Sequence, residues 1–211
     1  MLSNKRCLKA AQLYLILDRQ VNSYDELWQI LTKSVRTNVD IVQLRDKFGS
    51  AREVLKFSKE ARQFIRGKIP FIVNDRVDIA LASGASGVHL GQDDLSVSFA
   101  RRILGKNALV GVSCQSLKHA LKAQRDGADY IGFGSVFKTL TKPNRREMNL
   151  KLLEKVSAQI KIPLFAIGGI TAQRVDLIRR LGIARVAVCR EICLASDVRK
   201  AVVELKSALR G

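Results

Sequence analysis

Aromatic residues are scarce in this 211-residue chain, at 6% of the total, and Trp28 is the single tryptophan. Single-stranded nucleic acids are gripped largely by stacking bases on aromatic rings, so that class of function is disfavoured at once. Histidine is scarcer still. Only His89 and His119 are present, and Cys7, Cys114, Cys189 and Cys193 form no CxxC pair, so a usual zinc set has no ligands to draw on. Reduced thiols are expected. Long apolar runs are missing too: no stretch approaches the ~18 consecutive apolar residues of a membrane span, and Met1 to Ala10 lacks the continuous apolar core of a secretion signal. A cytoplasmic chain without a membrane partner is the expectation. The last shortage is of acids. With 19 acidic against 37 basic residues the formal net charge is +18, although charged residues total an ordinary 27%, near the ~25% globular average. The skew lies in sign, and it would steer anionic ligands to the chain.

What is present is a globular composition, 47% hydrophobic, at a length that suits one core. Short β-rich runs recur: Leu13 to Leu17, Ile41 to Leu44, Phe71 to Val73, Val88 to Leu90, Leu109 to Val112, Tyr130 to Phe133, Leu164 to Ile167 and Val186 to Val188. Helical segments separate them. Ala51, Val54, Leu55, Ser58, Arg62 and Ile65 follow 3.6-residue spacing. A later helix is expected from Thr171 as N-cap through Val175, Ile178 and Leu181 to Gly182, and the last from Ser196 through Val198, Val202, Leu205 and Leu209. A weak repeat runs through the chain. Gly84-Ala85-Ser86-Gly87-Val88, Gly127-Ala128-Asp129-Tyr130-Ile131 and Gly182-Ile183-Ala184-Arg185-Val186 each read as helix stop, turn and strand, and Lys-Ile-Pro precedes two other strands at 68–70 and 161–163. An α/β fold results. Repetition of one unit across residues 1–211 predicts a single compact (β/α)₈ TIM barrel over an open doubly wound sheet.

In such a barrel the chemistry gathers at the carboxyl ends of the strands. Strand two ends in Gln43-Leu44-Arg45-Asp46-Lys47, strand three in Asn74-Asp75-Arg76, strand four in Gly91-Gln92-Asp93-Asp94 and strand five at Ser113; strand six runs on to Thr139-Leu140-Thr141-Lys142, and strand seven ends in Gly168-Gly169. Cations, carboxylates, hydroxyls and a glycine pair therefore converge on one mouth. That set describes a site for a phosphorylated substrate and a divalent metal. A spacing of two puts Gln43, Arg45 and Lys47 on one face if strand geometry continues, where a guanidinium fork and an ammonium suit a pyrophosphate. Charges at a solvated strand end are the plainer account. Asp75 and Asp94 offer the oxygen ligands of Mg²⁺, though either could simply cap a helix. Gly168-Gly169 before the Thr171 helix start reads as a backbone N–H pocket for phosphate.

These segments resemble a known family. QLRDK at 43–47, NDR at 74–76, HLGQDD at 89–94, GVS at 111–113, DYIGFGSVFKTLTK at 129–142 and IPLFAIGGI at 162–170 closely resemble the thiamine phosphate synthase family, in order, over about residues 13–205. The resemblance implies a (β/α)₈ barrel that joins hydroxymethylpyrimidine diphosphate to a thiazole phosphate and releases pyrophosphate. It further implies that Gln43, Arg45, Lys47, Asn74, Ser113 and Lys142 hold the diphosphate substrate, that Asp75 and Asp94 hold Mg²⁺, and that Thr139, Thr141 and Gly169 face the thiazole phosphate. Arg45, Lys47 and Lys142 would neutralise the departing charge.

The chain departs from the family pattern in two places. Cys189-Arg190 follows strand eight where a small residue, often Ser, is usual, and Pro143 to Met148 replaces a small, Gly-containing stretch. Arg190 would either fold onto the thiazole phosphate or fill its pocket, unless so long a side chain leaves toward solvent. Two other functions compete with the synthase. One is a thiazole tautomerase-like paralogue, which would tend to lose the TxTK and aspartate motifs kept here; the other is a non-catalytic binder of anionic partners, argued from the +18 charge and Lys138, Lys142, Arg145 and Arg146. A homo-oligomer is compatible with the synthase reading. Cys114 and His119 are five apart at a strand-to-helix junction, a poor arrangement for a thiol nucleophile and its base.

Overall fold

The computed structural model describes residues 4–139 and 147–211. Eight parallel strands, β1 (Leu13–Asp18), β2 (Ile41–Arg45), β3 (Phe71–Asn74), β4 (Gly87–Leu90), β5 (Leu109–Cys114), β6 (Tyr130–Phe133), β7 (Leu164–Ile167) and β8 (Val186–Val188), close into a barrel in chain order. Closure is made by β8 on β1, with Leu13, Tyr14 and Leu15 opposite Val186, Ala187 and Val188. The (β/α)₈ barrel read from the sequence is the fold. Each expected strand lies within two residues of the observed one at either end.

Helices α1 (Asn4–Ala10), α2 (Tyr24–Arg36), α3 (Ala51–Ile65), α4 (Val77–Ser83), α5 (Val97–Leu104), α6 (Leu117–Arg125), α7 (Leu150–Gln159), α8 (Val175–Arg179), α9 (Arg190–Cys193) and α10 (Val198–Arg210) surround it. Local chemistry sets several of their starts. Ser23 and Ser50 each form a capping box, with Glu26 and Glu53 returning to the cap amide. At α10 the cap is Asp197, not the expected Ser196, because its carboxylate reaches the amides of Arg199 (2.9 Å) and Lys200 (3.1 Å). The helix expected from Thr171 is also different. Thr171 makes no side-chain cap, a short 3₁₀ turn (Ala172–Arg174) precedes α8, and Leu181 lies beyond the helix end. Helix α1 was not foreseen. No helix among the described residues is long and apolar enough to cross a membrane.

Strand alternation divides the interior in two. In β1, Leu13, Leu15 and Leu17 join the apolar layer under the helices, whereas Tyr14 and Ile16 join a second cluster inside the barrel. Ile41, Ile72, Leu109, Tyr130, Phe165 and Ala187 complete that inner cluster, and Leu8 and Ala11 join it from the α1 end. Two residues further along the same strand faces, the pattern turns polar: Ile41 leads to Gln43 and Arg45, Ile72 to Asn74, and Leu109 through Gly111 to Ser113. The bottom of the barrel is thus filled by apolar side chains and its top by polar ones. This gradient builds the site.

Candidate active site

A cavity of about 320 Å³ opens at the carboxyl ends of the strands, large enough for a small metabolite. Gln43, Arg45, Asn74 and Ser113 line one side; Thr139, Gly169, Cys189 and Arg190 line it elsewhere. Asn74 is 8% exposed, and its Nδ2 finds no hydrogen-bond partner among the described residues. A buried amide without an acceptor costs roughly 1–3 kcal/mol. A ligand oxygen or ring nitrogen in the cavity would relieve it.

Arg45 and Lys47 do not stand side by side as free cations. Strand β2 ends at Arg45, so the alternation that aims Gln43 and Arg45 inward no longer governs Lys47, which does not line the cavity. Arg45 Nη1 instead meets Asp18 Oδ2 at 2.6 Å and Gln20 Oε1 at 2.8 Å. Lys47 Nζ meets Asp75 Oδ2 at 2.7 Å. The guanidinium is oriented by buried partners, while the ammonium sits over an acidic rim beside the cavity.

That rim is made by Asp75 and Asp94. Asp75 follows β3 in the left-handed region, at φ 60°, with its amide bonded to the His89 carbonyl at 2.8 Å. Asp94 folds back from the β4 loop to accept the Gly91 amide at 2.6 Å. Burial, and then a hydrogen bond with Asp75, push the Asp94 carboxyl above its usual range. Asp75 and Asp94 thus set two carboxyl groups side by side, with Lys47 on the first, an all-oxygen donor pair of the kind a hard divalent cation takes. The pair fits Mg²⁺. Among the described residues no third His, Cys, Asp or Glu converges with them.

The opposite side of the cavity rests on the glycine pair. Gly168 and Gly169 have φ of 105° and 60°, and a Cβ on either would strike the strand-six loop, at Ser135 for the first and at the Lys138 carbonyl for the second. Only glycine lets the two loops lie this close. The Ala172 amide beyond them is taken by Glu191 Oε1 at 3.1 Å, and Arg174 Nη1 reaches back to the Gly169 carbonyl at 2.7 Å. Arg190 begins α9 and lines the same end. Thr141 and Lys142, and most of the 143–148 loop, lie outside the described residues.

Two of the four thiols have surroundings that disfavour the thiolate. Cys114 closes β5, with burial pushing it up to about 12, and its Sγ faces the Val112 carbonyl. Cys189 is likewise raised, first by its hydrogen bond with Cys193 and then by burial. Neither is a ready thiolate.

A sequence model for thiamine monophosphate synthase matches residues 13–192. The chain belongs to the thiamine monophosphate synthase family. A thiamine-phosphate synthase of Clostridium tetani is 39% identical over 194 residues, 92% of this chain and 93% of the relative. The solved thiamine phosphate pyrophosphorylase from Pyrococcus furiosus superposes with a TM-score of 0.86 at 35% identity, covering 98% of this chain and 97% of the other. A 3-hexulose-6-phosphate synthase, at 16% identity with a TM-score of 0.71 and coverage of 93% and 99%, shares the fold alone.

Against the motifs that marked the synthase family, the structure adds residues that motif reading passed over. Asp18 and His89 line the cavity, as do Lys138, Arg174 and Glu191. Asp18 was open to detection, since it ends β1 as Arg45 ends β2. His89 was harder to find. It opens the HLGQDD segment without a role of its own there, although alternation turns it inward between Val88 and Leu90, which pack under the helices.

Proposed function

We propose that this mouth performs the synthase reaction of its family, transferring a hydroxymethylpyrimidine group from its diphosphate to a thiazole phosphate with release of pyrophosphate. The observation that carries this reading is that Gln43, Arg45, Asn74 and Ser113 share one cavity with Thr139, Gly169 and Arg190. Two phosphorylated substrates would meet there. Loss of pyrophosphate from the pyrimidine methylene leaves a cation stabilised by the ring amino group, so displacement is dissociative and the protein's main task is to neutralise departing charge and exclude water.

Gln43 and the Asn74 amide would orient the pyrimidine diphosphate, with Ser113 adding a hydroxyl. Arg45, held by Asp18 and Gln20, would present a fixed guanidinium to the diphosphate at no further cost in ordering. Lys47 and Lys142 would add positive charge. Asp75 and Asp94 would hold Mg²⁺, which when bound supplies positive charge to the diphosphate. At the other end, Thr139, Thr141, the Gly169 backbone, the Cys189–Arg190 junction and the Arg190 side chain would anchor the thiazole phosphate, bringing the ring nitrogen to the methylene. A cytoplasmic setting, where both phosphorylated precursors would be found, suits this chemistry.

Incubating the chain with both precursors and Mg²⁺, and reading products by mass, tests the proposal. Thiamine phosphate and pyrophosphate in equal amounts are expected. A folded chain that yields neither would refute it.

A further inference from the structure

A chain of polar groups crosses the apolar interior of the barrel. Gln43 Nε2 donates to Tyr14 Oη (3.2 Å), Tyr14 Oη meets Tyr130 Oη (2.9 Å), Tyr130 Oη meets His89 Nδ1 (3.2 Å), and His89 Nε2 meets Ser113 Oγ (3.0 Å). Both tyrosines are buried. A glycine makes room for the chain. Gly111 lies opposite Tyr130 in the sheet, and a Cβ there would strike the tyrosine ring.

Each hydroxyl has one proton to give and can accept two, and one arrangement satisfies every group in the chain: with Gln43 donating to Tyr14, each member passes its own proton to the next. Tyr14 accepts from the Gln43 amide and turns its own proton to Tyr130. Tyr130 turns its proton to His89 Nδ1. The imidazole therefore carries its proton on Nε2 and donates it to Ser113 Oγ. What remains to Ser113 is its own hydroxyl hydrogen, free to turn into the cavity. Burial raises both phenols, Tyr14 most strongly, which keeps their protons in place.

We infer that Tyr14, Tyr130 and His89 are positioning residues which, wired from Gln43, make Ser113 a hydrogen-bond donor to the bound pyrimidine diphosphate. The wiring is a property of the protein alone. The use of the Ser113 proton rests on the synthase reading above.

Two measurements separate these parts. With only two histidines in the chain, ¹⁵N spectra of the full-length protein resolve both imidazoles, and His119→Gln assigns them. The Nε2–H tautomer is expected at His89. An Nδ1–H tautomer, or an imidazolium, would overturn the wiring whatever the activity.

The second measurement is a cycle of Tyr130→Phe and Ser113→Ala in the synthase assay, with melting curves to confirm folding. Tyr130→Phe should lower kcat ~3- to 10-fold, as for one neutral hydrogen bond, with little change in KM. Added to Ser113→Ala it should cost nothing more, because Tyr130 acts through Ser113. Independent, multiplying losses would show that Tyr130 matters to packing only and would overturn its positioning role. If the chain proves inactive while His89 shows the expected tautomer, the synthase reading fails and the wiring stands.

Discussion

Asp18 and Arg45 are direct partners across β1 and β2, and their side chains meet at 2.6 Å with Asp18 at 0% exposure. A buried ion pair adds little net stability when both partners are present, since desolvation offsets attraction, but removing one leaves an uncompensated charge. Its value here is orientation. Both contacts to Asp18 and Gln20 are made through Nη1, so the guanidinium is held at the cavity wall.

Asp18→Ala should therefore destabilise the fold by about 3–5 kcal/mol and raise KM for the pyrimidine diphosphate. Urea unfolding and steady-state kinetics check the two effects. A variant of unchanged stability and KM would show that Arg45 needs no partner.

The acidic rim predicts a pH-dependent response to Mg²⁺. The Asp94 carboxyl is raised in the folded chain, so the protonated form is favoured, and its contribution to stability is present at low pH and lost as pH rises through the folded value. Metal binding requires the ionised pair. The rise in Tm caused by Mg²⁺ should be absent near pH 4 and grow toward pH 7, where ordinary carboxyls are ionised. Asp75→Ala should abolish both that rise and turnover. A pH-independent Mg²⁺ response that survives Asp75→Ala would place the metal elsewhere.

Arg190 lines the cavity at the end proposed for the thiazole phosphate, where the family resemblance leads one to expect a small residue. Arg190→Ser should raise KM for the thiazole phosphate roughly tenfold or more, the loss of one charge-assisted bond, and leave KM for the pyrimidine diphosphate alone. Faster turnover in the variant would instead mark the arginine as an obstruction.

Replacing Cys114 and Cys189 together by Ala should keep activity within a few fold, against the ~10²-fold or greater loss expected for a true nucleophile. Rates compared at equal folded fraction decide this.

Much of the fold was legible because it is written in short-range terms. The short β-rich runs, the helical spacing between them and the glycine stops are local signals, and eight such runs in succession leave the barrel as the economical closure. The site was legible to the extent that it lies at strand ends: Gln43, Arg45, Asn74 and Ser113 follow from period two and a carboxyl-end position. The same logic stopped short at Lys47. The strand ends two residues before it, and its partner Asp75 comes from another strand.

The sequence by itself determined which residues alternate inward and, to within two residues, where each strand lies, and therefore several of the side chains that reach the mouth. Tertiary structure alone decided how those side chains pair. Asp18 faces Arg45, and Tyr130 reaches across from β6 to Tyr14 on β1 and His89 on β4, because closure and register place strands 27 to 116 residues apart at hydrogen-bond distance. Alternation is a property of one strand. Partnership across the barrel is a property of all eight, and no single stretch of chain contains it.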